Sequence, residues 1–153
     1  MQSNELPMEQ DIEILLKQRP WKVPPSSAGV VPSYLEQEYA RIAIASSFEK
    51  IDNPPVPLVA ALLRAANTDD VEEVRERALE SLFQFVTKGY VSHNDGCAIL
   101  WAATYDASHR VRCTALESLW SIDEKLGKES AKRLVSDSDG IVAETARNIL
   151  ESD

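Results

Sequence analysis

Nine residues are written almost twice in this chain, as VRERALESL over 74–82 and VRCTALESL over 111–119. Superposing the copies pairs Val74 with Val111, Arg75 with Arg112, Ala78 with Ala115, Leu79 with Leu116, Leu82 with Leu119 and Phe83 with Trp120. Counted from each valine, the apolar positions fall at steps of four, five, eight and nine. Residues three and four apart share one face of a helix, so the pattern predicts a helix with a wide apolar stripe, used at least twice. The same frame extends to Val142, Ala146 and Leu150 downstream and to Ala40, Arg41, Ile44, Ala45 and Phe48 upstream. Four helices on one template, beginning near 40, 74, 111 and 142, are thus spaced by 34, 37 and 31 residues. That period belongs to helical repeat proteins, in which each unit buries its apolar face against its neighbours.

Each interval leaves room for a second helix, predicted over 57–67, 96–105 and 128–135. Pro57 suits a first helical turn, and Ser92 with Asp95 reads as an N-cap with its third-position acid. Capping residues also precede the template helices: Ser33 with Glu36, Asp69 with Glu72, Asp106 or Ser108, and Ser138 or Asp139. Gly89 and Gly127 follow the two best-matched helices, where a left-handed C-terminal residue is expected. A short helix over 8–18, with Met8, Ile12, Leu15 and Leu16 in one stripe, is expected to cap the first hairpin. Residues 19–33 carry four of the eight prolines and read as a surface linker. The expected organisation is a capping helix over 1–19, a Pro-rich linker over 20–32 and a repeat region over 33–153, all in one structural domain.

The two units Asp70–Val74–Arg75–Ala78–Leu79–Leu82 and Asp106–Val111–Arg112–Ala115–Leu116–Leu119 make the chain resemble the HEAT-like repeat family from about Ser33 to its end. The resemblance implies an all-α fold, a short right-handed α-α superhelix of about three and a half hairpins, used as a scaffold or binding surface rather than for catalysis. The last unit departs from the pattern, with Ala143 in place of the arginine and Arg147 and Glu151 at positions apolar in the central units. A polar terminal repeat is what solubility requires of such an array. On this reading Val74, Ala78, Leu82, Val111, Ala115 and Leu119 pack neighbouring hairpins. Arg75 and Arg112 are expected to bridge to acids near the helix starts of adjacent units.

The chain carries 25 acidic against 16 basic residues, a net charge of −9. Nucleic-acid binding draws its affinity from Lys and Arg on phosphates, and no basic cluster is present, so nucleic acid is not an expected partner. A basic protein is the matching expectation. No apolar run approaches the roughly 20 residues of a membrane-spanning helix, and the acidic N-terminus is unlike a secretory signal, so no membrane association and a cytoplasmic location are expected. Cys97 and Cys113 are then reduced thiols.

No glycine-rich phosphate loop and no G-x-S-x-G turn occurs, so neither catalysis nor a cofactor is expected. His93 with Cys97 and His109 with Cys113 have the four-residue spacing of helical metal ligands. Antiparallel helices turning near 106 would set His93 level with Trp120, about 10 Å along the axis from Cys113, too far for one tetrahedral zinc, so no metal is expected. In HEAT-like arrays the second helix of each hairpin meets partners. The resemblance therefore makes Arg64, Asn67, Asn94, Asp95, Trp101 and Tyr105, with Asp69 and Asp70 at the following turn, the candidate partner-binding set, beside Lys132 and Arg133. Trp101 either anchors a partner or packs into the next hairpin. Trp120, in register with Phe83, is expected in the core, and Trp21 either pins the linker or anchors a partner.

Size, acidity and the lack of chemistry suggest a protein-protein interaction module, in particular an inhibitor or immunity protein masking a basic toxin or enzyme. An adaptor or scaffold subunit fits equally well. A bilin-lyase-like or DNA-repair-like HEAT enzyme stands behind both, since the second needs a basic groove that this chain lacks.

Overall fold

The computed structural model describes residues 7–20, 22 and 33–152. These residues are helical without a strand, in eight α-helices: α1 (Pro7–Leu15), α2 (Ser33–Ser47), α3 (Val56–Thr68), α4 (Glu72–Thr87), α5 (His93–Ala103), α6 (His109–Ile122), α7 (Glu124–Leu134) and α8 (Gly140–Glu151). A 3-10 turn, Phe48–Lys50, extends α2. The expected linker, apart from Pro20 and Lys22, lies outside the described residues, as does Trp21. The chain forms two compact units, Met1–Ser81 and Leu82–Asp153, and α4 contributes to both.

In the first unit α1 packs on α2 and α3, burying Ile14 and Leu15. It ends earlier than its apolar stripe suggests because Lys17 turns into the left-handed region at φ 60. The Gln18 N–H then bonds back to the Glu13 carbonyl at 2.8 Å, closing the helix end. In the second unit α5, α6, α7 and α8 each pack on the next in sequence, and α5 also meets α7 as α6 meets α8. The first residues of α5 and α7 meet, as do their last, so these two run parallel and α6 returns between them. Leu116, Ala131, Leu134, Val142, Ala146 and Ile149 form the core there.

Most of the apolar template is buried, with Ala40, Phe83 and Leu150 only half-buried. Val74, Ala78, Leu82, Val111, Ala115 and Leu119 are all at most 1 % exposed, and Val142 and Ala146 are fully buried. In α8 it is Ile149 rather than Leu150 that completes the buried face. The template also repeats in its polar contacts. Asp69, Asp106 and Asp137, each five residues before a template valine, accept from the backbone N–H two residues on at 2.9, 2.8 and 2.9 Å. Such Asx turns redirect the chain into the next helix. Arg75 and Arg112 each donate to the carbonyl six residues back, those of Asp69 and Asp106, at 2.8 and 2.9 Å. Arg112 also grips Asp137 ahead of α8 by two bonds of 2.9 and 2.8 Å, the bridge to the next helix start that its position predicts.

Three expectations need correction. Asp69, not Asp70, occupies the repeat position. Its side chain is 2 % exposed and pairs with Arg41 at 3.0 Å, so it holds the turn and offers no surface to a partner. Gly127 does not end α6. Asp123 closes α6 and caps α7 at once, and Gly127 lies inside α7, where a Cβ would stand 2.4 Å from the Trp120 Cα. Trp120 is 36 % exposed rather than core, because the two backbones approach too closely at Gly127 for an indole to lie between them. Gly89, by contrast, follows α4 at φ 82, in the left-handed role expected of it.

Candidate functional site

In the first unit Arg64 and Asn67 are exposed on α3, and Asp70 is exposed just beyond it. Asp70 pairs with Lys17, whose hydrogen bond, first among its causes, holds the Asp70 carboxyl below its usual range. Arg64 lines a small depression with Leu15, Leu16 and Lys17 at the end of α1.

The remaining candidates lie on or just beyond α5 in the second unit. Asn94 and Asp95 are exposed in its first turn, where the Asp95 N–H bonds to the Ser92 hydroxyl at 3.1 Å. Trp101 is half-buried, and Tyr105 is 59 % exposed. Arg133 lies 3.6 Å above the Tyr105 ring and donates to the buried Thr104 hydroxyl at 2.6 Å. Its charge therefore tethers α7 to the end of α5.

Two arrangements were not foreseen from the sequence. On the surface of α6 and α8, Trp120 lines an open groove of about 620 Å³ together with Glu117, Ser121, Ile122, Glu124 and Ser152. It continues into a smaller depression of about 190 Å³ bordered by Thr145, Asn148 and Ile149. An indole beside two carboxylates suits a cationic group, whose charge the ring face and the acids both attract.

At the first turns of α5 and α7, His93, Cys97 and Asp123 bring one donor atom each within 4.8 Å of the others. His93 Nε2 is 3.3 Å from Asp123 Oδ2 and 3.4 Å from Cys97 Sγ. The other Asp123 oxygen accepts from the Leu126 N–H at 2.9 Å and so caps α7. That bond first, and His93 after it, hold the Asp123 carboxyl below its usual range. Burial, and then the negative charge of Asp123, push the Cys97 thiol up. His109 and Cys113 do not join this group. His109 Nδ1 is 4.0 Å from Asp139, and Cys113 Sγ is 3.6 Å from the Thr145 hydroxyl.

A signal for Asp123 was present in the sequence. It follows His93 by 30 residues as Asp139 follows His109, and each aspartate caps the helix packed beside the helix of its histidine. Among the described residues no helix is long and apolar enough to cross a membrane. No protein-family model, curated protein or solved structure matches the chain.

Proposed function

We propose that this chain is a non-catalytic protein-interaction module, a short right-handed superhelix of HEAT-like hairpins whose acidic surface binds a basic protein. The Trp120 groove is the observation that carries this reading. A partner lysine or arginine laid across the indole would meet Glu117 and Glu124 at its rim. A cation over an aromatic face contributes about 0.5–2 kcal/mol, rising as water is excluded. Glu124 already accepts from Lys128 at 2.8 Å, but an exposed pair of this kind contributes little and can be exchanged for a partner's cation. The net charge of −9 would speed encounter with a positive surface and repel nucleic acid. An inhibitor that masks a basic toxin or enzyme, or an adaptor subunit that docks on a basic partner, is the form this function takes.

The test is capture of a partner from native lysate at low and high salt, with the wild type beside a Trp120→Ala, Glu117→Lys variant. One basic protein retained at low salt, released at high salt and not retained by the variant is the expected result. Equal recovery by both chains, or a partner indifferent to salt, overturns the reading.

A further inference from the structure

We propose that His93, Cys97 and Asp123 form a binding site for a zinc-class divalent cation, with His93 Nε2, Cys97 Sγ and Asp123 Oδ2 as ligands and a fourth position open to solvent. Two of the three separations carry the proposal, and the third pair, Cys97 Sγ and a carboxylate oxygen of Asp123, lies within 4.8 Å. Metal–ligand bonds of about 2.0–2.3 Å in a tetrahedron place ligand atoms roughly 3.3–3.7 Å apart. His93 Nε2 stands 3.3 Å from the aspartate oxygen and 3.4 Å from the sulfur. His93 and Cys97 are four apart on α5, so one helical turn sets them on the same face, and the cap of the neighbouring helix supplies the third donor.

Hydrogen bonding alone does not satisfy this geometry. Both partners converge on the same ring nitrogen, which has either one hydrogen or one lone pair in the ring plane. If Nε2 carries the hydrogen, a carboxylate and a weak sulfur acceptor must share it. If Nε2 is bare, its lone pair faces a carboxylate oxygen. The same convergence argues against a nucleophilic relay, in which the base bonds the thiol through one ring nitrogen and the orienting acid through the other. A cation at the common point takes a lone pair from all three groups at once. Nitrogen, thiolate and a single carboxylate oxygen suit Zn²⁺ or Co²⁺ better than Mg²⁺ or Ca²⁺, which favour oxygen alone. The His93 side chain is 56 % exposed and that of Asp123 27 %, so the site opens to the surface and a metal can enter.

The test is titration of the full chain, reduced and metal-free, with Co²⁺ alone and then with Zn²⁺. Expected are one Co²⁺ per chain, a visible spectrum of tetrahedral cobalt with a thiolate-to-metal band, and displacement of both by one equivalent of Zn²⁺. Cys97→Ser should abolish the thiolate band. His93→Ala, at an exposed position, and Asp123→Asn, which keeps a capping oxygen for Leu126, should each weaken binding at least about tenfold, the loss that even outer-shell partners cause. Cys113→Ser, outside the cluster, should bind like the wild type. No thiolate-to-cobalt band, or wild-type affinity in the His93→Ala and Asp123→Asn variants, overturns the proposal.

Discussion

Asp137 and Arg112 meet in two bonds of 2.9 and 2.8 Å, with only 8 % and 14 % of their side chains exposed. Removing one partner of such a pair strands the other away from water, which costs more than the pair itself contributes. Arg112→Ala should therefore destabilise the fold by about 3 kcal/mol at neutral pH. The Arg112 hydrogen bonds, the first cause, hold the Asp137 carboxyl below its ordinary value of 3.8. A carboxyl lowered by folding contributes its stability in full above the unfolded value and loses it as pH falls through the folded one. Urea unfolding from pH 7 down to 3 should accordingly show a constant gap between wild type and Arg112→Ala above about pH 5, narrowing below about pH 4. A gap of the same size at every pH would mean that the variant acts through lost packing alone. The Arg41–Asp69 pair is buried more deeply still, which is why a residue that reads as a surface acid in the sequence serves the interior.

At the scale of the element, helix ends decide more than helix middles. Lys17 and Gly89 both close helices in the left-handed region, at φ 60 and 82. The glycine does so without the steric penalty that a side chain carries. Asp123 takes the place of a turn altogether, serving as last cap of α6 and first cap of α7, so α7 starts four residues before its apolar pattern suggests. That early start brings Gly127 onto the backbone of α6. In an open helix, replacing glycine by alanine gains up to about 1 kcal/mol. Here the added methyl would meet Trp120 Cα at 2.4 Å, an atom that cannot rotate away. Gly127→Ala should therefore lower stability by about 2 kcal/mol, read as a fall in the urea midpoint, because overpacking outweighs propensity. A raised midpoint would show that α6 and α7 separate freely.

For the molecule as a whole, the dominant quantity is charge. At pH 7 the excess of acids keeps copies apart, and near the sequence isoelectric point of about 4.7 that repulsion vanishes. Static light scattering should rise as pH approaches 4.7, above the window in which Asp137 becomes protonated, so association should precede acid unfolding. Scattering that first rises below pH 4 would instead make unfolding its cause. The sign and size of this charge, the helical character of the chain and the buried identity of Val74, Ala78, Leu82, Val111, Ala115 and Leu119 were all legible in the sequence. Each depends on composition or on spacing within one helix, and a period of 3.6 residues is a local property. The candidate sites were less legible. Trp120 lies at the surface and its register mate Phe83 is only half-buried, while Asp69, beside the exposed Asp70, lies inside. Asp123 drew no role from the sequence, and only the packing of α5 beside α7 brings His93 against it. Spacing alone placed each helix to within about a turn and most of its inward stripe, but not the early start of α7 or the burial of Ile149 in place of Leu150. Which acids are buried, which tryptophan is exposed and which three donors converge were settled by the packing, because those outcomes depend on how closely backbones distant in the chain approach one another.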